Sequence, residues 1–284
     1  MLSRAISSVQ RQDPPVWEII VVDDGSTDDT GTLVGTLSSG DPRVTYLRQA
    51  NAGVASARNT GIRRSTGTWI AFLDSDDEWL AGRVERIRGM VINRPGVEFT
   101  HSDRRVVDQD GQCLEPGRSR VSASEGADRR FLLEHWWIKT STVVVRAALL
   151  ERVGSLFNER LRTCEDYELF WRLVAEAEEI AYDTHPSVLV HTERHSLSTA
   201  LAARDRYRDH IAAMTEVLGW AAGTPRHAGV TRILNARLRQ EYRNALTTAR
   251  ATGLPALVAE SAWLTQYLAR WLHASIRALA PVRG

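Results

Sequence analysis

The sequence predicts an α/β domain with a mostly parallel sheet covered by helices, followed by an all-helical C-terminal extension. Two observations carry this. Short apolar runs that stop abruptly at acids alternate with stretches of helical spacing in the N-terminal part. From about residue 199 the spacing is helical to the end, with breaks near Gly223-Thr-Pro225 and Gly253-Leu-Pro255. With 284 residues, 43% hydrophobic and 25% charged, the chain suits one large α/β domain plus a helical appendage. The expected division is 1–198 and 199–284.

The elements follow in order. Leu2, Ile6 and Val9 share one face of a helix over 1–11, and Pro14-Pro15 ends it before an apolar strand at 18–22. A helix from about Asp28 to Leu37 precedes a strand at Val44–Arg48, and Asn51-Ala-Gly53 opens a helix over 53–65. A strand at 69–73, a helix near 80–93 that stops before Pro95, and a strand at Val97–His101 complete the alternation. Then the texture changes. Val106-Val107, Asp110-Gly111 and Cys113-Leu114 read as a hairpin, Thr142–Val145 as a strand, and 165–177 as an amphipathic helix. Short strands are expected near 180–183 and 188–191.

Composition narrows the function. A net charge of +1 argues against a general nucleic-acid binder. Lys139 is the single lysine among 36 basic residues, as a biased genome would produce. Cys113 and Cys164 match no metal or redox spacing, so free thiols in a reducing cytoplasm are expected. The N-terminus lacks the apolar run of a signal peptide, and no stretch is apolar enough to cross a bilayer.

The chemistry concentrates at two strand ends, Glu18-Ile-Ile-Val-Val-Asp23-Asp24-Gly25-Ser-Thr and Trp69-Ile-Ala-Phe-Leu-Asp74-Ser-Asp76-Asp77. Acids gathered at the carboxyl ends of strands repel one another unless a cation or basic ligand group lies between them. Two carboxylates at i and i+2 can reach one hard divalent cation, which would bridge a diphosphate. Capping of the following helix is nearly as good a reading of Asp74 and Asp76 taken alone, and the upstream acid pair favours the metal. For a lone Asp-Gly-Ser a simple strand–turn–helix connection suffices, but Asp23 and Asp24 together exceed that need, and one could accept a nucleobase imide N–H. Arg58, on a helix of small residues, can pair with phosphate or lie in solvent. Glu165-Asp166 at a helix start suits the dipole, and equally a general base for an incoming hydroxyl.

Taken in order, Val-Asp23-Asp24-Gly-Ser-Thr-Asp, Asn-Ala-Gly-Val-Ala-Ser-Ala-Arg58-Asn59-Thr-Gly, Leu-Asp74-Ser-Asp76-Asp77 and Glu165-Asp166-Tyr-Glu-Leu resemble glycosyltransferase family 2 over roughly residues 1–200. That resemblance implies a GT-A, Rossmann-like fold and an inverting transfer from a nucleotide-sugar, such as a UDP-sugar, in surface polysaccharide or glycoconjugate synthesis. It makes Asp24 the acid that holds the pyrimidine, with Asp23 beside it. Asp76 becomes the main ligand of Mn2+ or Mg2+ with Asp74 its partner, Asp166 the base with Glu165 its neighbour, and Arg58 a residue near the nucleotide. The acceptor would be a saccharide or a lipid-linked one.

The chain departs from the family pattern twice. It opens at what resembles the helix after the family's first strand and nucleoside-binding loop, so an inner strand is expected to be missing from the sheet. A start codon placed too far downstream is the expected cause, with a degenerate gene the alternative. The family's closing segment corresponds to Val190–Ser198, where His191, Arg194 and His195 stand in a different arrangement.

Two rival readings stay open at this stage: a catalytically inactive nucleotide-sugar binder, and a receiver-like phosphoacceptor domain using Asp74 and Lys139. Residues 255–279 carry Trp263, Tyr267, Trp271 and flanking arginines. They can pack on other helices or lie peripherally on the inner membrane surface.

Overall fold

A computed structural model describes residues 1–108, 110–115, 121–135, 137–192 and 203–252. The N-terminal half alternates as the spacing predicts: α1 (Leu2–Gln10), β1 (Ile19–Asp23), α2 (Thr30–Ser39), β2 (Val44–Arg48), α3 (Val54–Arg64) and β3 (Trp69–Ala71). The short β4 (Glu78–Trp79), α4 (Arg83–Asn93) and the long β5 (Val97–Val107) follow. The expected hairpin forms when β6 (Cys113–Glu115) folds back on β5 through Gly111, whose φ of 78° suits the turn.

Three short helices then appear that apolar periodicity did not predict: α5 (Ala123–Gly126), α6 (Arg129–Glu134) and α7 (Ala147–Val153), the last following β7 (Val144–Arg146). Polar N-caps announce the first two: Ser122 makes a capping box with Glu125, and Asp128 accepts from the Phe131 N–H. The helix α8 (Glu165–Glu176) and the strand β8 (Glu179–His191) complete the α/β part.

Strand pairing is more mixed than alternation alone suggests. Parallel pairs join β1 to β2 and β5 to β8; β3–β7, β4–β8, β5–β6 and β5–β7 are antiparallel. The early strands β3 and β4 take partners from β7 and β8, late in the chain, and those run the opposite way. β1 and β2 form a two-stranded sheet apart from the six-stranded sheet, ordered β3-β7-β5-β8-β4 with β6 on β5. The two strands expected at 180–183 and 188–191 are one. Pro186 lies opposite Asp103 at a register shift, so the missing N–H is absorbed there and β8 runs on along β5.

The larger core lies between the six-stranded sheet and the helices α7 and α8. Leu169, Phe170, Leu173 and Val174 of α8 are wholly buried, each stabilising the fold by roughly 1.5–3 kcal/mol. The C-terminal helices α9 (Ala203–Ala221) and α10 (Ala228–Thr252) pack on α8 and α6 and add Ile211, Met214, Leu234 and Leu238 to that core. The expected break near Gly223-Thr-Pro225 lies between them. A second core joins Ile6 and Val9 of α1 to β1, β2 and Trp79. Among the described residues, no helix is long and apolar enough to cross a membrane. The expected break at 253–255 and the aromatic segment 255–279 lie outside the described residues.

Candidate active site

Strand β1 ends at Asp23, buried under Tyr46 of β2. The Tyr46 hydroxyl and the Ser26 N–H donate to its carboxylate, and chiefly the tyrosine holds its pKa down to about 2. Asp24 faces the loop before α3. It accepts from Gln49 Nε2 at 2.8 Å and from the N–H groups of Ala52 and Gly53 at 2.9 and 2.7 Å. Burial alone would raise its pKa; these donors hold it below the ordinary carboxylate range. The loop lies close: a Cβ at Gly25 (φ +80°) would stand 2.8 Å from the Asn51 nitrogen.

The loop held by Asp24 launches α3, and α3 carries Arg58 inward. Its guanidinium spans two acids, donating to Asp74 Oδ1 at 2.7 Å and Glu165 Oε1 at 2.6 Å. The next residue, Asn59, fastens the 157–159 loop by accepting from Phe157 N and donating to Phe157 O. Asp23 and Asp24 are thus tied to β2 and the β2–α3 loop, and their connection to the other acids runs through α3.

Asp74, Asp76 and Asp77 follow β3, and a single 3-10 turn grips them from the far side. Lys139 Nζ lies 3.4 Å from Asp74 Oδ2. Thr140 Oγ1 donates to Asp166 Oδ2 at 2.9 Å. Ser141 Oγ donates to Asp77 Oδ2 at 2.5 Å and accepts from the Asp74 N–H at 3.1 Å. Three consecutive residues thereby join the acid cluster to the start of α8. The turn is itself anchored by the buried Arg83 of α4, which donates to the carbonyls of Ser141 and Thr142 at 3.3 and 2.9 Å.

Charge in the cluster is graded. Burial pushes the Asp77 carboxyl up to about 6. Burial also acts on Asp74, but Arg58 and Lys139 outweigh it and hold that carboxyl below its usual range. Glu165 is raised, by burial first and the neighbouring Asp166 second. Cys164 precedes this pair in a left-handed conformation (φ 61°), an abrupt entry that starts α8 at Glu165.

The three aspartates fit a metal by their chemistry. Each offers a carboxylate oxygen, and these atoms lie within 4.8 Å of one another, a hard-donor set suited to Mg2+ or Mn2+. Arg58 and Lys139 engage Asp74, while Ser141 and the His191 N–H engage Asp77. Among the described residues, no such bond engages the Asp76 carboxylate.

Of the histidine-rich segment, His191 pairs with Glu78 at 2.8 Å, holding the end of β8 to β4. Arg194 and His195 lie outside the described residues. In the sequence, Lys139 points to chemistry only in the receiver-like alternative, and nothing in a Lys-Thr-Ser triplet marks Thr140 or Ser141 locally. A separate cavity of about 780 Å3, lined by Asn59, the 154–160 loop, Glu168, Arg172 and Trp220 among others, contains none of the acids above.

Residues 1–116 match the family model described as Glycosyl transferase family 2. That match covers the N-terminal part of the chain, from α1 to the end of β6. Among similar proteins, an uncharacterized glycosyltransferase of Rickettsia bellii is 34% identical over 163 residues, 57% of this chain and 23% of that protein. The UDP-Glc:alpha-D-GlcNAc-diphosphoundecaprenol beta-1,3-glucosyltransferase WfgD of Escherichia coli is 31% identical over 179 residues, 62% of this chain and 65% of that protein. The chain therefore spans about a quarter of the Rickettsia relative and under two thirds of WfgD. S. aureus TarS 1-349, solved in complex with UDP-GlcNAc, superposes with a TM-score of 0.74 at 18% identity, over 96% of this chain and 77% of that one. At that identity the likeness shows the fold, which is GT-A.

Proposed function

We propose that this protein is a glycosyltransferase that moves a sugar, with inversion, from a nucleoside-diphosphate donor to an acceptor hydroxyl. The observation that carries the reading is the Arg58 bridge between Asp74 and Glu165, which brings a metal-competent acid cluster and a helix-start carboxylate pair to one place.

The geometry supports the roles that the resemblance implies. A carboxylate has about four lone-pair directions, and three bonds occupy those of Asp24, leaving one for a base imide N–H. Asp76 and Asp74 would hold Mn2+ or Mg2+; when bound, the ion supplies electrostatic stabilisation of the departing diphosphate. Asp166 takes the acceptor proton as its oxygen attacks the anomeric carbon in line, and the bond to the diphosphate oxygen breaks. Thr140 orients that carboxylate.

The printed names of WfgD and of the TarS complex favour UDP-sugars as donors, and that of WfgD a diphosphoundecaprenol-linked acceptor in surface glycan synthesis. In this reading residues 1–198 form the transferase unit and 199–284 its helical extension. Peripheral membrane contact through 255–279 would bring the protein to such an acceptor.

The Lys139–Asp74 pair is also what a receiver-like phosphoacceptor requires. That reading leaves the Arg58–Glu165 bridge and the Thr140–Asp166 bond without purpose. Incubation with UDP-glucose or UDP-GlcNAc and Mn2+, following UDP release, separates the possibilities. We expect release that needs Mn2+, is lost in Asp76→Asn, and falls by roughly 10²–10⁴ in Asp166→Asn with donor affinity kept. Binding without turnover selects the inactive binder; labelling of Asp74 by acetyl phosphate selects the receiver.

A further inference from the structure

The acid cluster contains cations of its own. Both oxygens of Asp74 are engaged, Oδ1 by Arg58 at 2.7 Å and Oδ2 by Lys139 at 3.4 Å. The two differ in freedom. Arg58 is nearly buried and fixed by a second acid, whereas the Lys139 side chain is 37% exposed. The backbone beneath Lys139 is held: its carbonyl accepts from the Thr142 N–H and hydroxyl at 2.9 and 2.7 Å. Arg83 pins the same turn from below. The ammonium is thus a movable charge on a four-carbon stem rooted in a fixed turn.

The residue type sharpens this. Every other basic residue in the chain is arginine. A composition that favours arginine would place one here as well, and a planar guanidinium would be held in a fixed fork, as Arg58 is between Asp74 and Glu165. A compact ammonium with rotatable donors can leave one anion for another. A divalent ion reaching Asp74 would meet the repulsion of both cations, and Lys139 is the one able to move.

Resting on the transferase reading above, we propose that Lys139 competes with the divalent cation for Asp74. The ammonium holds the acid in the donor-free protein and passes to the donor's diphosphate when the ion enters. Linkage then makes the ion and the diphosphate bind cooperatively, because each relieves what the other faces.

The test is Mn2+ binding to the full chain, read from the free-ion EPR signal, with and without UDP as the diphosphate probe. In K139M, Mn2+ alone should bind roughly tenfold more tightly than in the wild type. UDP should tighten Mn2+ binding by about tenfold or more in the wild type and by less than about threefold in K139M. K139Q repeats the measurement should K139M fail to fold. Unchanged or weaker Mn2+ binding by the folded variant without UDP overturns the proposal. If wild-type binding of Mn2+ is meanwhile lost in D76N, the transferase reading stands without it. If the wild type binds neither Mn2+ nor UDP, both fall.

Discussion

Arg58 and Glu165 are 107 positions apart in sequence and joined at 2.6 Å in the fold. The contact closes a loop spanning β3, β5 and β7, and the other arm of the same guanidinium reaches Asp74. One side chain therefore sets the distance between the two halves of the site. Removing it would leave Glu165 without its cation and Asp74 with Lys139 alone, with no charge between the two acids. We expect Arg58→Ala to cost about 3–5 kcal/mol in urea unfolding. Arg58→Lys should recover little of this, since an ammonium cannot fork to two carboxylates.

Thr140 donates to Asp166 at 2.9 Å. Thr140→Val keeps the shape and deletes the donor. A single hydrogen bond to a charged group is worth about 1.5–3 kcal/mol, so donor turnover should drop by roughly 10- to 100-fold. The fall should appear in kcat with the donor KM unchanged, and Thr140→Ser should restore it. A matching rise in KM would mean that the turn shapes the donor site instead.

Asp77 gives the fold a pH dependence of known sign. Its carboxyl is raised from 3.8 to about 6, so the folded chain keeps a proton that the unfolded chain has released. The stabilisation is complete below about pH 3.8 and is lost as pH rises through about 6. Asp77→Asn should therefore melt higher than the wild type at about pH 8 without divalent ions, by on the order of 2 kcal/mol. The difference should shrink towards about pH 4. Thermal melts at the two pH values decide it.

Gly25 turns the chain between Asp24 and α2 at φ +80°, with Asn51 behind it. Gly25→Ala adds a strained conformation and a Cβ 2.8 Å from a backbone nitrogen. A loss of more than about 1 kcal/mol in urea unfolding is expected. Because the displaced loop is the one Asp24 organises, UDP affinity should fall with it; calorimetric titration measures this directly.

Much of this site was legible before folding was considered. Asp23, Asp24, Asp74, Asp76 and the Glu165-Asp166 pair all stand where a local pattern changes, at a strand end or a helix start. Those changes are written in neighbouring residues, so they survive in one dimension. The same holds for most helices and strands, whose faces repeat every few residues. Pro186 shows where local reading fails: it signals a break, yet β5 beside it carries the strand onward through a register shift.

Lys139, Thr140 and Ser141 were decided only by tertiary structure. Ser141 meets Asp77 across 64 positions and Thr140 meets Asp166 across 26, distances at which no periodicity informs the choice of partner. The chain alone determined which acids would gather at strand and helix ends, because backbone geometry there is local. Which cations and hydroxyls would face them depended on burying β7 between β3 and β5 and seating its preceding turn on Arg83. Charge neutralisation inside a fold is a long-range condition, satisfied only when the whole sheet has closed.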